Sequence, residues 1–428
     1  MVWDGKRWAV DETGQALKRA KRTMIEFLHQ IADAKYEDAE KRKTAEKFAR
    51  GSLDARRLEA MLKLAQSELP ITPAELDRAP SLLNFTNGTV DLKTGDLRPH
   101  RRGDWITKMV AFPYRQEAVC PRWLAFLGDI MGGGPDAAEA ACARADELIG
   151  YLQLALGYSI TGEASEKAVF VAYGAGDNGK TTLLSVVRDL IRDFAVTVGL
   201  DLLTAKDDSN NVAAARAKLL GIRFATSSET EEGQRLSAAR LKRICQGPGG
   251  EIEACRKYEN PITFRETHKL WIDANHKPEL PATDAAVWNR LHLIPFTVTI
   301  PKDRQDRELT AKLLKEGDGI LAWLVEGAKQ WYAKGLPQSN AVNEATKAWQ
   351  KELDRLSVFL EDHMEEATDA EAYVLNKVLY EAYRSWCESN GERTLSHPRF
   401  AGQMEAMGYR KERKEAGNVW RGIRFKRL

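Results

Sequence analysis

Cysteine is scarce here. Cys120, Cys142, Cys245, Cys255 and Cys387 are scattered, odd in number and never spaced C-x-x-C. That set fits reduced, mostly packed thiols better than a disulfide framework or a zinc site. Long apolar runs are also missing. None approaches the length needed to span a bilayer, and the N-terminus lacks the apolar core of a signal peptide. A cytoplasmic location and no membrane partner are therefore expected. Charge of one sign is absent too, since 64 basic residues nearly cancel 62 acidic ones, net +2. Distribution says more than the sum. The last nineteen residues hold Arg410, Lys411, Arg413, Lys414, Arg421, Arg424, Lys426 and Arg427 against only Glu412 and Glu415.

What is present centres on Val169–Thr182. The β-prone run Val169-Phe170-Val171-Ala172-Tyr173 enters Gly174-Ala175-Gly176-Asp177-Asn178-Gly179-Lys180-Thr181-Thr182. Leu183, Leu184, Val187, Leu190 and Ile191 then recur at helical spacing. Strand, G-x-x-x-x-G-K-T and helix in that order are the context of a phosphate-binding loop. Glycines let backbone N–H groups turn inward, and the helix N-terminus adds partial positive charge. Residues 174–182 are thus the expected ATP contacts, with Lys180 on the β- and γ-phosphates and Thr181 on Mg²⁺.

Downstream, Gly221–Glu229 reads as a second strand ending in a carboxylate. An NTPase needs an acid there, for the metal's waters or for the attacking water. Glu229 takes that catalytic role and is a candidate metal ligand, with Glu231 and Glu232 in reserve. Ser228 stands where a second acid is usual. Lys269–Asn275 reads as a third strand ending in an amide able to reach a γ-phosphate or its water; a plain turn former is the other reading of Asn275. Arg290 precedes the apolar strand Leu291–Phe296, and a forked, always-charged guanidinium suits phosphate oxygens supplied from a neighbouring subunit. A salt bridge is its ordinary alternative. Between these strands, Glu251–Tyr258 and Ile262–Arg265 read as a hairpin with Arg256, Lys257 and Tyr258 near its tip. Cations and an aromatic there suit a single-stranded backbone and its bases, or else form an incidental charged surface.

The flanks read as follows. Leu17, Ala20, Met24, Phe27, Leu28 and Ile31 make one helical face, and residues 35–69 read as further charged helix. Thr72-Pro73-Ala74-Glu75 is a capping box opening a short helix. Residues 82–96 read as a β-meander in which Asp91 and Asp96 form turns. No acid cluster there makes a polymerase or primase centre. At the other end, Gly335–Asn340 is a linker by composition, and Ala345–Met364 reads as helix. Two further helices and a basic ribbon around Trp420 suggest a winged helix facing duplex DNA, with a basic tail of no specific target as the other reading.

Taken together, these stretches resemble the superfamily III helicases of the AAA+ class, and more narrowly the helicase part of phage and plasmid primase-helicases related to the poxvirus primase-helicase. The matching pieces are 174–182, Ser228–Glu231, 241–250 with Arg256, 269–278, 288–296 and, upstream, Asn87–His100. The resemblance implies a hexameric ring with ATP between subunits and Lys180 and Thr181 as Walker A residues. It makes Glu229 the Walker B acid, Asn275 the sensor and Arg290 the finger acting in trans. It also implies 3′-to-5′ movement on one strand, with hairpins carrying Arg256 and Lys257 gripping DNA in the pore. A phage origin would make the compartment a bacterial host's cytoplasm. Gly247-Pro248-Gly249-Gly250-Glu251 stands where the family often has Gly-Gly-Asp, which leaves the hairpin register open. The expectation includes no primase module on this polypeptide, and a separate primase or polymerase as partner.

The fold class expected is therefore α/β: a mainly helical unit over 1–145, an AAA+ P-loop core over 146–335 and a winged-helix unit over 345–428. The function expected is an ATP-driven replicative DNA helicase using Mg²⁺ and binding single-stranded and duplex DNA. Its rivals are an ATP-switched origin initiator or loader, a small-molecule P-loop kinase and a non-catalytic DNA-binding regulator. Strand displacement, DNA-stimulated ATPase activity and the effect of Lys180→Ala separate them in turn.

Overall fold

The computed structural model describes the chain apart from residues 36–37, 135–136, 205–208, 229–233, 257, 368–371, 393 and 427–428; for 209–211 and 228 it describes the backbone alone. Strands β1 (Val2–Trp3) and β2 (Trp8–Ala9) form a small ribbon, followed by α1 (Gln15–Asp33), α2 (Ala39–Gly51) and α3 (Ala55–Glu68). The helical stretch expected over 35–69 is broken at Ser52–Asp54, because the Asp54 carboxylate accepts from the Arg56 amide and starts a new helix. The capping box at Thr72 is present but yields a single 3₁₀ turn, Pro73–Glu75. Just beyond, Asp77 adopts φ 52° while its carboxylate accepts from the amide and hydroxyl of Thr107. Strands β3 (Leu82–Phe85), β4 (Gly88–Asp91) and β5 (Asp96–Arg98) form the antiparallel meander. Helices α4 (Pro121–Met131) and α5 (Glu139–Ser159) lead into the centre, so the expected 145/146 boundary falls inside one continuous helix.

The centre is a five-stranded sheet, parallel throughout. Its strands are β6 (Val169–Tyr173), β7 (Ala195–Thr197), β8 (Phe224–Ser228), β11 (Lys269–Ala274) and β12 (Leu291–Pro295). Their spatial order is β12-β6-β11-β8-β7. Helix α6 (Lys180–Leu190) follows β6; α7 (Ser209–Ala217), α8 (Ala238–Ile244) and the antiparallel hairpin β9 (Glu251–Ala254)–β10 (Ile262–Arg265) lie between the later strands. Helix α9 (Ala285–Trp288) precedes β12, and α10 (Leu309–Leu314) and α11 (Gly317–Lys334) follow it. Parallel strands need cover on both faces, and period-two alternation divides their side chains between two cores. Phe170, Ala172, Trp271 and Ile294 pack with α4, α5, α6 and α11; Val169, Val171, Leu270, Ile272 and Leu293 pack with α8, α9 and α12 (Asn340–Leu353).

Trp349 of α12 is fully buried in that second core, edge-on to Trp288. The unit expected from residue 345 therefore has its own core only from Leu356 onward. The helix expected over 345–364 breaks at Asp354, whose carboxylate accepts from the Ser357 amide and hydroxyl. Beyond it come α13 (Arg355–His363), β13 (Met364–Glu366), β14 (Tyr373–Leu375), α14 (Asn376–Ser389), α15 (His397–Ala406), β15 (Lys411–Lys414), β16 (Gly417–Arg421) and β17 (Ile423–Phe425). They form a sheet in the order β14-β16-β15 and a pair β13-β17 over a third apolar cluster that includes Phe359, Tyr383 and Trp420. Among the described residues no helix is long and apolar enough to cross a membrane.

Candidate nucleotide site

The loop after β6 lies at the carboxyl edge of the parallel sheet, where ligands of open α/β sheets bind. Its curl comes from positive φ at Gly176 (100°), Asp177 (49°) and Gly179 (82°). Two approaches leave no room for a side chain. A Cβ on Gly174 would stand 2.3 Å from the Phe296 carbonyl oxygen, and one on Gly179 would stand 2.5 Å from Ile130 Cγ2 of α4. The segment after β12 braces the loop from outside: the Phe296 amide donates to Tyr173 (2.7 Å) and the Ile300 amide to Asp177 (2.7 Å). Buried Asn178 braces it from within, with its amide directed at the Phe296 carbonyl and its Oδ1 accepting from Lys180.

Lys180 is the first residue of α6 and only 2% exposed. Its ammonium donates to Gly174 O (2.7 Å), Asn178 Oδ1 (2.9 Å) and Asn275 Oδ1 (3.2 Å), which uses its three protons. Burial lowers its pKa, opposed by Asp273, whose Oδ1 lies 4.0 Å away. The Thr181 hydroxyl, one residue along, donates to Asp273 Oδ2 at 2.7 Å. Ala175, Asp177 and Thr181 are exposed, and Gly176 and Thr182 half-buried, so the rim of the cradle faces solvent. The structure thus joins Lys180 and Thr181 at the start of α6 with Asn178 in the loop after β6 and Asn275 just past β11.

Asp273 escapes the reading of motifs and spacing, although a signal is there: one acid inside Leu270-Trp271-Ile272-Asp273-Ala274, an otherwise apolar strand. Its purpose depends on β11 lying beside β6, a pairing no local pattern gives. Glu229, like Glu231 and Glu232, lies outside the described residues; β8 is described to Ser228, whose register partner on β11 is Asp273. The Thr181 hydroxyl and Asp273 carboxylate oxygens are hard donors, and beside the Lys180 ammonium they fit a magnesium-bound triphosphate.

Arg290 is not brought to Lys180. It stands at the amino end of β12, where the Val169 amide donates to its carbonyl, whereas the loop follows the carboxyl end of β6. Among the described residues its side chain makes no salt bridge: Nε donates to Cys245 O (3.0 Å) and Nη1 to Ala286 O. On the hairpin, Arg256 pairs with Glu259 at 3.6 Å, and Tyr258 is 94% exposed at φ 67°. Lys257 lies outside the described residues. Buried Glu266 anchors the base of this hairpin by accepting from the Gln246 (2.8 Å) and Gly247 (3.2 Å) amides; burial pushes its pKa up to about 7.

Comparison with known proteins bears on both flanks and the centre. Residues 1–132 match the "D5 N terminal like" family model, 172–290 a family of unknown function (DUF5906) and 351–421 "Poxvirus D5 protein-like". The chain is similar to putative helicase L207/L206 of Acanthamoeba polyphaga mimivirus, 25% identical over 340 residues, 74% of this chain and 34% of that protein. Putative helicase 022R of Frog virus 3 is 26% identical over 254 residues, 54% of this chain and 25% of that protein. Putative helicase V13 of Sputnik virophage is 23% identical over 242 residues, covering 52% and 31%. The chain therefore spans about a third or less of these relatives' length. Among solved structures, the apo C-terminal region of NrS-1 aligns with TM-score 0.42 and 11% identity, covering 73% of this chain and 79% of that one. With D5 matches at both ends and helicase-named viral relatives across up to three quarters of its length, the chain is similar to the D5-like primase-helicases.

Proposed function

We propose that this chain is an ATP-dependent DNA helicase, working as a ring of identical subunits that translocates on single-stranded DNA. The observation that carries the reading is the convergence of Lys180, Thr181 and Asn275 on one solvent-facing cradle at the sheet's carboxyl edge. The helicase names of the viral relatives support it.

In this reading the Lys180 ammonium leaves Gly174 O for the β- and γ-phosphate oxygens, while the loop amides hold the β-phosphate. A magnesium ion on Thr181 would supply charge neutralisation between the β- and γ-phosphates. Glu229 orients or deprotonates the attacking water, and Asn275 hydrogen-bonds that water or the γ-phosphate. The water oxygen bonds to the γ-phosphorus as the bond to the β–γ bridging oxygen breaks, giving ADP and phosphate. Arg290 serves the neighbouring subunit's site, which fits its place at the opposite sheet edge from its own Lys180. Each subunit then needs the next, and a head-to-tail interface that closes makes a ring; six members is the family's number.

DNA contacts are assigned to Arg256, Lys257 and Tyr258 of the hairpin and to the C-terminal unit. There, the order α13, β14, α14, α15, β15, β16 and the β14-β16-β15 sheet support a winged helix with β15–β16 as its wing. Part of its basic charge is already met: Arg421 pairs with Glu412, Arg424 with Glu365, and Lys414 lies over Tyr373. A primase or polymerase would be a separate partner, and the core and winged-helix units would meet between Trp349 and Leu356.

The test is ATP hydrolysis by the full chain with and without single-stranded DNA, beside displacement of a labelled strand. Stimulation by DNA and ATP-dependent displacement are expected, and Lys180→Ala should abolish hydrolysis while DNA binding persists. Hydrolysis indifferent to DNA, without displacement, contradicts the proposal.

A further inference from the structure

We infer that Asp273 is the acid that organises the magnesium ion of this site, acting through the Thr181 hydroxyl from the strand beside the phosphate loop. The inference rests on the proposed nucleotide site and deepens it.

A threonine hydroxyl owns one proton and two lone pairs. Here the proton is committed to Asp273 Oδ2 at 2.7 Å, which leaves the lone pairs of Thr181 Oγ1 for a cation. An uncommitted hydroxyl rotates and offers its proton to the metal side as readily as its oxygen. Fixing the rotor is what an outer-shell acceptor does for a metal ligand. Asp273 is thus a positioning residue with a defined atom to position.

Its location is also informative. Asp273 pairs in register with Ala172 of β6 on one side and Ser228 of β8 on the other. Ser228 is the place where a P-loop NTPase usually carries the first of two acids, and in this chain the carboxylate occurs at the same level one strand nearer the loop. Adjacent strands lie about 4.8 Å apart, so the shift brings the charge close to α6 without changing its depth along the sheet. Asp273 shares the sheet face of Phe170 and Trp271, beneath α6, and its side chain is 13% exposed between buried Ile272 and Ala274. A carboxylate so placed is costly unless paired. A mere counter-ion for Lys180 does not explain the geometry, since the three ammonium protons go to neutral oxygens and the carboxylate is 4.0 Å away. The short contact is to Thr181.

The experiment measures binding of a fluorescent N-methylanthraniloyl ATP to the full chain over a magnesium titration, with manganese bound in the same complex followed by electron paramagnetic resonance. Wild type, Asp273→Asn, Thr181→Ala, the double variant and Lys180→Ala are compared. Asp273→Asn should bind metal-free nucleotide as wild type does, which also reports that it is folded. The metal concentration for half-maximal enhancement should rise by about 10–100-fold. Thr181→Ala should give a comparable rise, and the double variant no more than either alone, since the two act as one unit. An unchanged metal requirement in Asp273→Asn overturns the inference, as do additive shifts. Loss of metal-free binding in Asp273→Asn also overturns it, making the residue a support of the loop. If wild type binds no nucleotide, or Lys180→Ala binds it equally well, the proposed function itself fails.

Discussion

His268 is a buried residue whose titration should register in the pH dependence of stability. Among the described residues neither ring nitrogen has a hydrogen-bond partner, and burial lowers its pKa to about 3. The unfolded chain takes up that proton near pH 6.5, the folded one only near pH 3. Stability therefore falls on acidification below about pH 6.5, with this residue contributing ~1.4 kcal/mol per unit until it is protonated in the fold. Glu266 works against it: with a folded pKa raised to about 7, the folded state holds the extra proton and stability falls as pH rises between 4.5 and 7. Urea denaturation from pH 4 to 8 should show a shallower acid loss in His268→Leu and a steeper one in Glu266→Gln. Identical profiles for wild type and both variants would contradict the assignment. At this scale sequence serves best where chemistry is local. Lys180 and Thr181 are legible from the loop's spacing, whereas Asn275 is marked only by its place at a strand end until the fold brings it to Lys180. Asp273 is not legible, because strand neighbours decide its role.

Among elements, α5 and α11 approach each other closely. A Cβ on Gly157 would stand 2.2 Å from the Gly327 carbonyl carbon, and one on Gly327 would stand 2.1 Å from the Gln153 carbonyl oxygen. Two helices cross here backbone to backbone, and these glycines serve close approach. Gly157→Ala should push the helices apart and lower stability by about 1–3 kcal/mol, read as a drop in melting temperature. An unchanged melting temperature would contradict the crossing as described. The meander, the hairpin and the strands flanking the loop are legible from alternation and turn residues. Helix breaks at Asp54 and Asp354 are not, because an acid inside a charged helical pattern looks like surface until its carboxylate turns back onto an amide.

For the whole molecule, the proposal divides DNA binding between hairpin and C-terminal unit. Arg410 and Arg413 are exposed on or beside β15. Replacing both by glutamate should weaken duplex binding and flatten its dependence on salt by about one unit of slope for each phosphate no longer neutralised, with single-turnover nucleotide binding untouched. Fluorescence anisotropy at several salt concentrations measures this; an unchanged slope would remove the wing from the interface. Such placement is beyond the sequence, where the basic segment looks uniformly available. In the fold, Glu412, Glu365 and Tyr373 engage several of its cations.

The most direct test mixes two inactive subunits. Lys180→Ala carries an intact Arg290 but a broken cradle, and Arg290→Ala the reverse. If Arg290 completes a neighbour's site, mixing should restore ATP hydrolysis well above the sum of the separate preparations. Arg290→Ala turning over at the wild-type rate by itself, or mixtures no better than their components, would contradict the account.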